Sequence, residues 1–294
     1  MASELPSGPE SAPLIAGFRD RLEQLKSAAT PHTYEAYMAI AIDQAILALE
    51  AGDYGVGAVL VHREGGLEYK LSARNQVFSG QRFTSHAECV ALDLYELSRR
   101  PYAKLSVKER KLLGEHLLPA VPLDYNAQPR HQLAGLEPAL GTGRHAILAY
   151  TVESCPRCFV TLADYQRKYP GTGINECVFG SFDEVAGGMI KKDEAYEARG
   201  KRVGYVALDR LAQRDVAHPS IEGYPAKWKQ SVDGLGIVTP DFLNALNPEF
   251  SRLCEDVFNA RCTIDQVDYQ QLAAREAGAR VDMLTNLQLL SPKH

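Results

Sequence analysis

Two short stretches carry side chains that can do chemistry together. The first is Thr84-Ser85-His86-Ala87-Glu88-Cys89, and the second, far downstream, is Glu153-Ser154-Cys155-Pro156-Arg157-Cys158. His86, Cys155 and Cys158 offer one imidazole and two thiolates, a donor set suited to zinc. Three protein ligands leave the fourth position of a tetrahedral ion open, as in a catalytic centre and unlike a closed structural one. Glu88 lies two residues from His86 and outside the ligand set, where a carboxylate can take and return protons. Cys155 and Cys158, at i and i+3, leave the same side of one helical turn, and a helix N-terminus favours thiolates. A closed alternative also exists, because Cys89 lies i+3 from His86. His86, Cys89, Cys155 and Cys158 could then form a four-ligand structural site. Against that, Cys89 also falls in register with the core-facing side of its helix, and a closed site leaves Glu88 without a role. Cys177, Cys254 and Cys262 lack ligand spacing and read as packing residues.

These groups need elements to hold them. Residues 1–13, rich in Pro, Ser, Gly and Glu, read as a disordered tail. Leu14, Phe18, Leu22 and Leu25 then mark a helix ended by Pro31. A second helix is predicted from Thr33 as N-cap, with Met38, Ile42, Ala45 and Leu49 on its apolar face and Gly52 as its stop. Val56 to His62 and Leu67 to Ala73 predict a hairpin around Glu64-Gly65-Gly66. Thr84 or Ser85 is the expected cap of the His86 helix, whose core face is Ala87, Val90, Ala91, Leu94 and Leu97. From 99 to 144 the pattern weakens to an insertion, with a charged surface helix over 104–116 and several prolines. Ala146 to Val152 predicts a strand leading into the cysteine helix, which runs to about Tyr169, and Glu176 to Gly180 predicts the next strand. That strand–helix–strand unit implies parallel neighbours. A helical segment near 189–198 and a strand over 202–208 are expected to repeat it. Beyond Pro219 lies a helical extension, including a helix with Asn247 as N-cap and Pro248 at its first position.

With 294 residues and 45% hydrophobic side chains, the chain has ample material for a core. Its net charge of -5 argues against broad, non-specific nucleic-acid binding. Six scattered cysteines do not make a disulfide framework, and thiolate ligands fit a reducing compartment. The N-terminus has neither a basic start nor an apolar core, and no run is long enough to span a membrane. A cytoplasmic protein is the expectation.

The span from about Tyr34 to Leu208 resembles the cytidine deaminase-like superfamily, in the branch of tRNA adenosine, guanine and cytosine deaminases. The matching pieces are Val56-Gly57-Ala58-Val59-Leu60-Val61, Asn75, Thr84-Ser85-His86-Ala87-Glu88, Tyr150 to Cys158 and Val178-Phe179-Gly180. The resemblance implies a three-layer α/β/α fold with a five-stranded mixed sheet, here with an added N-terminal helix and a C-terminal helical extension. It divides the chain into a tail and helix (1–30), a deaminase domain with the 99–144 insertion (31–216) and the extension (217–294). It also implies zinc on His86, Cys155 and Cys158, a proton-shuttling Glu88, and Asn75 hydrogen-bonded to substrate. The backbone N–H of Ala87 and the C=O of Ser154 would frame the base. Ser154 stands where the family usually has proline, which keeps the carbonyl and loosens the turn.

The expected function is zinc-dependent hydrolytic deamination of a nucleobase, nucleoside or related heterocycle. One alternative is an RNA adenosine deaminase, for which the basic-leaning stretch from Lys191 to Arg214 would meet phosphates. The other is a non-catalytic, zinc-stabilised interaction subunit, which has no use for Glu88. The resemblance further suggests a homodimer. In that dimer the extension, with Tyr224, Trp228, Phe242, Phe250 and Phe258, would cover the zinc pocket.

Overall fold

The first helix, α1 (Ser11–Ala28), buries Phe18, Leu22 and Leu25 at the expected helical spacing. The structure, a computed structural model, describes residues 11–80, 84–123, 145–169, 173–181, 204–207 and 247–265. Helix α2 (Tyr34–Glu50) begins at Thr33, whose hydroxyl accepts the Ala36 N–H as the sequence suggested. It ends at Gly52, whose φ of 84° only glycine adopts without strain. Strands β1 (Gly57–Glu64) and β2 (Leu67–Arg74) follow as an antiparallel hairpin with Glu64 opposite Leu67. Its two-residue turn is Gly65-Gly66, both at positive φ, which suits the twist of the strands.

Helix α3 (Ala87–Ser98) comes next, then α4 (Val107–His116) with a complete capping box between Ser106 and Glu109. Strand β3 (Leu117–Pro122), β4 (His145–Val152), α5 (Pro156–Lys168), β5 (Glu176–Ser181), β6 (Gly204–Ala207) and α6 (Pro248–Asp265) complete the described elements. The strands form one mixed sheet in the order β3-β2-β1-β4-β5-β6. The five expected strands are all present. Strand β3 is a sixth, paired antiparallel with the edge of β2, so the 99–144 segment contributes to the sheet as well as carrying its surface helix. Its prolines hide it in the sequence, yet an edge strand tolerates proline because one of its sides makes no ladder.

β4 and β5 are parallel and joined through α5, as expected of a strand–helix–strand unit. β6 is antiparallel to β5, which corrects the expectation of a second parallel unit. The helix expected between them, at 189–198, lies outside the described residues.

Apolar side chains alternate across the sheet and fill two cores. On one face Ala58, Leu60, Leu148 and Phe179 pack with Ala91, Leu94, Tyr95 and Leu162 of α3 and α5. On the other, Val59, Val61, Ile147 and Val178 pack with α1, α2 and α6. Close approach there depends on glycine. A Cβ on Gly57 would sit 2.0 Å from the Ala41 carbonyl oxygen, and one on Gly180 would sit 2.3 Å from Cys254 Sγ. Cys254 and Cys177 are fully buried packing residues, as the sequence suggested, whereas Cys262, grouped with them there, is only partly buried.

Helix α6 has the expected cap, with Asn247 Oδ1 accepting the Glu249 N–H. Phe250 is buried in the core shared with α1 and α2, on the sheet face opposite α3 and α5. The described part of the extension therefore builds the domain core and does not cover the helices that carry His86 and Cys155. Tyr224, Trp228 and Phe242 lie outside the described residues, as do residues 191–203 and 208–214 of the basic-leaning stretch. No described helix is long and apolar enough to cross a membrane.

At one end of the sheet sits a buried ionic cluster that the sequence reading did not anticipate. Arg63 on β1 faces Glu68 on β2 in the hairpin register, and Arg63 Nε donates to Glu68 Oε2 at 3.0 Å. Lys70 Nζ lies 2.7 Å from Glu68 Oε1, and His32 Nδ1 lies 3.0 Å from it. The Tyr37 hydroxyl bonds to both Glu68 and Arg63. Burial alone would raise the Glu68 pKa, but His32, Lys70 and Arg63 more than offset it and hold it at about 2.

Candidate metal centre

The centre forms where the N-termini of α3 and α5 meet. His86 is the N-cap of α3, with extended backbone (φ -67°, ψ 150°), and its carbonyl accepts the Val90 N–H at 2.9 Å. The helix thus begins later than the expected cap at Thr84 or Ser85, because His86 itself makes the turn from loop to helix. Cys155 is the N-cap of α5, with Pro156 in the first helical position, where its missing N–H costs no intrahelical bond. Cys155 Sγ accepts the N–H of Cys158 at 3.5 Å, so the backbone of the turn holds the first sulfur in place. Strand β4, paired on both sides, delivers this turn rigidly.

The donor atoms of His86, Cys155 and Cys158 all lie within 4.8 Å of one another, and these residues are the one such group found among the described residues. His86 Nδ1 is 3.8 Å from Cys155 Sγ, and the two sulfurs are 3.4 Å apart. A tetrahedral ion with sulfur at about 2.3 Å and nitrogen at about 2.0 Å sets its ligands roughly 3.6–3.8 Å from one another. The cluster fits a metal ion with only small adjustment.

Electrostatics agree with that fit. Hydrogen bonding to Cys158 and to His86 holds the Cys155 thiol well below its ordinary pKa, against the effect of burial. Burial would lower the pKa of His86, but Cys155 and the carboxylate of Glu88 raise it to about 9. An imidazolium beside a thiolate is the charge pattern that a bound cation replaces. Both sulfurs also sit at a helix N-terminus, where the dipole favours anions.

Glu88 occupies the first turn of α3 and is 3% exposed. Burial raises its pKa, the charge on Cys155 raises it further, and His86 and the Ser154 hydroxyl pull the other way. Ala87 and Ser154, next to His86 and Cys155 in the chain, are fully buried. Asn75 follows β2 at the same end of the sheet and is 2% exposed. Its Oδ1 accepts the Val77 N–H at 3.0 Å, and its own backbone N–H donates to the Val56 carbonyl at 2.9 Å. The next residue, Gln76, donates its N–H to the Ser85 carbonyl at 2.9 Å, which ties the Asn75 loop to the strand-like entry of His86.

Of the two positions that its spacing allowed, Cys89 takes the one weighed as the alternative. Cys89 does not face the apolar core: it is half-buried, and its sulfur lies 3.9 Å from Cys158 Sγ. The i+3 spacing from His86 was a signal of this placement. Asp53 was missed. It is fully buried, and its Oδ1 accepts the N–H groups of Phe78 and Ser79 at 2.6 and 3.1 Å, fixing the loop beyond Asn75.

No protein-family model matches the chain, and no curated protein matches it.

Proposed function

We propose that the protein is a zinc-dependent hydrolytic deaminase with a cytidine deaminase-like domain. Its substrate would be an amino-substituted nucleobase, nucleoside or related heterocycle, and its products the oxo compound and ammonia. The observation that carries this reading is the three-donor cluster at two meeting helix N-termini, with a buried carboxylate two residues from the histidine ligand. A purely structural site has no need of that carboxylate.

Zinc would be held by His86, Cys155 and Cys158 and would supply a Lewis acid that makes solvent nucleophilic near neutral pH. Glu88 takes a proton from the attacking water and gives it to the ring nitrogen next to the amino-bearing carbon. It then relays the second proton to the departing amine, so that water in and ammonia out balance. A carboxylate suits this sequence because it acts as base and as acid within one turnover. The Ala87 N–H is at the free end of α3, where backbone donors have no helical partner, and can donate to an acceptor on the substrate. The Ser154 carbonyl supplies the matching acceptor. Asn75 has its Oδ1 committed to Val77, which leaves its amide NH2 as the group to hold substrate.

An ammonia-release assay tests the proposal. Metal-loaded protein is incubated with free bases, nucleosides and transcript RNA in parallel. Release from at least one class is expected, and the class identifies the substrate. Fully metal-loaded protein that releases no ammonia from any of the three would overturn it.

A further inference from the structure

We infer that Cys89 is an exchangeable fourth ligand that closes the metal centre at rest and leaves it for turnover. This rests on the reading of the site as a hydrolytic metal centre and concerns how that site is regulated. His86 and Cys89 lie in the opening turn of the same helix, and Cys155 and Cys158 in the opening turn of α5. Cys158, which is fully buried, is the vertex shared by both sulfur pairs: 3.4 Å to Cys155 and 3.9 Å to Cys89. Two thiolates on one tetrahedral ion stand about 3.8 Å apart, so the Cys89–Cys158 separation already matches a shared ligand edge.

Cys89 is not among the donors that all lie within 4.8 Å of one another. It therefore borders the centre on the Cys158 side and reaches the fourth position by rotating about its Cα–Cβ bond. The other three ligands are held more firmly. Cys155 Sγ accepts the Cys158 N–H and lies 3.8 Å from His86 Nδ1, and Cys158 is enclosed, whereas the Cys89 sulfur meets the cluster on its Cys158 side. A closed form shields the centre when no substrate is present. When Cys89 swings out, the fourth position passes to solvent and Glu88 faces it.

Cobalt(II) substitution reads the number of sulfur ligands directly through sulfur-to-metal charge-transfer absorption, without any assay of turnover. Wild-type protein is expected to show three sulfurs. Cys89→Ala and the near-isosteric Cys89→Val are expected to keep one cobalt per chain and lose about one third of that absorption, the loss of one thiolate in three. With a substrate in hand, both variants should turn over at least about twofold faster than wild type, because the resting closure is gone. A two-sulfur spectrum in wild type, unchanged by removing Cys89, would overturn this inference and leave the deaminase reading standing. Loss of cobalt from both variants would overturn the deaminase reading as well, since the centre would then be a closed structural site.

Discussion

Replacing Glu88 with Gln is expected to leave fold and metal content intact and to lower turnover by about 10²–10⁴-fold, the usual contribution of a general acid–base group. The effect belongs near the top of that range because the same carboxylate serves at several proton transfers in the proposed sequence. Glutamine keeps the size of the side chain in a position that is only 3% exposed, so packing is preserved. It also removes a charge that burial, and after it the Cys155 thiolate, disfavours. Metal analysis, thermal unfolding and turnover measured together separate the roles. Near-full activity on an identified substrate would remove Glu88 from the chemistry.

The second large effect concerns stability. Glu68→Gln should destabilise the protein at neutral pH by about 3–5 kcal/mol, the range for removing one partner of a buried ion pair. Arg63 is 1% exposed and would be left without its counter-charge. The pH dependence has a definite sign. Glu68 is held at about 2, below its ordinary value of 4.5. Its contribution is therefore complete above about pH 4.5 and is lost as the pH falls towards 2, amounting to on the order of 3 kcal/mol. Urea unfolding of both proteins at neutral pH and near pH 3 should show the gap between them closing in acid. A gap of constant size would mean that the cluster does not bind Glu68 in its charged form.

The fold was legible where short-range rules decide it. Thr33 and Asn247 cap their helices as their side chains dictate, and Gly65-Gly66 makes the hairpin turn that two positive φ angles require. The donor cluster was legible because His86, Cys155 and Cys158 are rare residue types at meaningful spacing. Long-range facts were not. Nothing local distinguishes a parallel β6 from the antiparallel one observed, because direction is set by the route of the chain between strands. Leu117–Pro122 reads as a broken pattern, and only its place at the sheet edge makes it a strand. Arg63 and Glu68 look like ordinary surface charges beside a turn until α2 covers them and Tyr37 joins them. For Cys89, helical spacing allowed both a core-facing and a site-facing position, and the neighbouring Cys158 sulfur shows which one holds.

The central claim is that His86, Cys155 and Cys158 hold a metal ion on which the chemistry depends, and metal content tests it most directly. Purified wild-type protein should carry one zinc per chain. Cys155→Ala should lose it to competing chelator, because His86 and Cys158 then remain with Cys89, whose sulfur lies outside the group of mutually close donors. Wild-type protein that binds no zinc under reducing conditions, or Cys155→Ala protein that keeps it fully, would contradict the account.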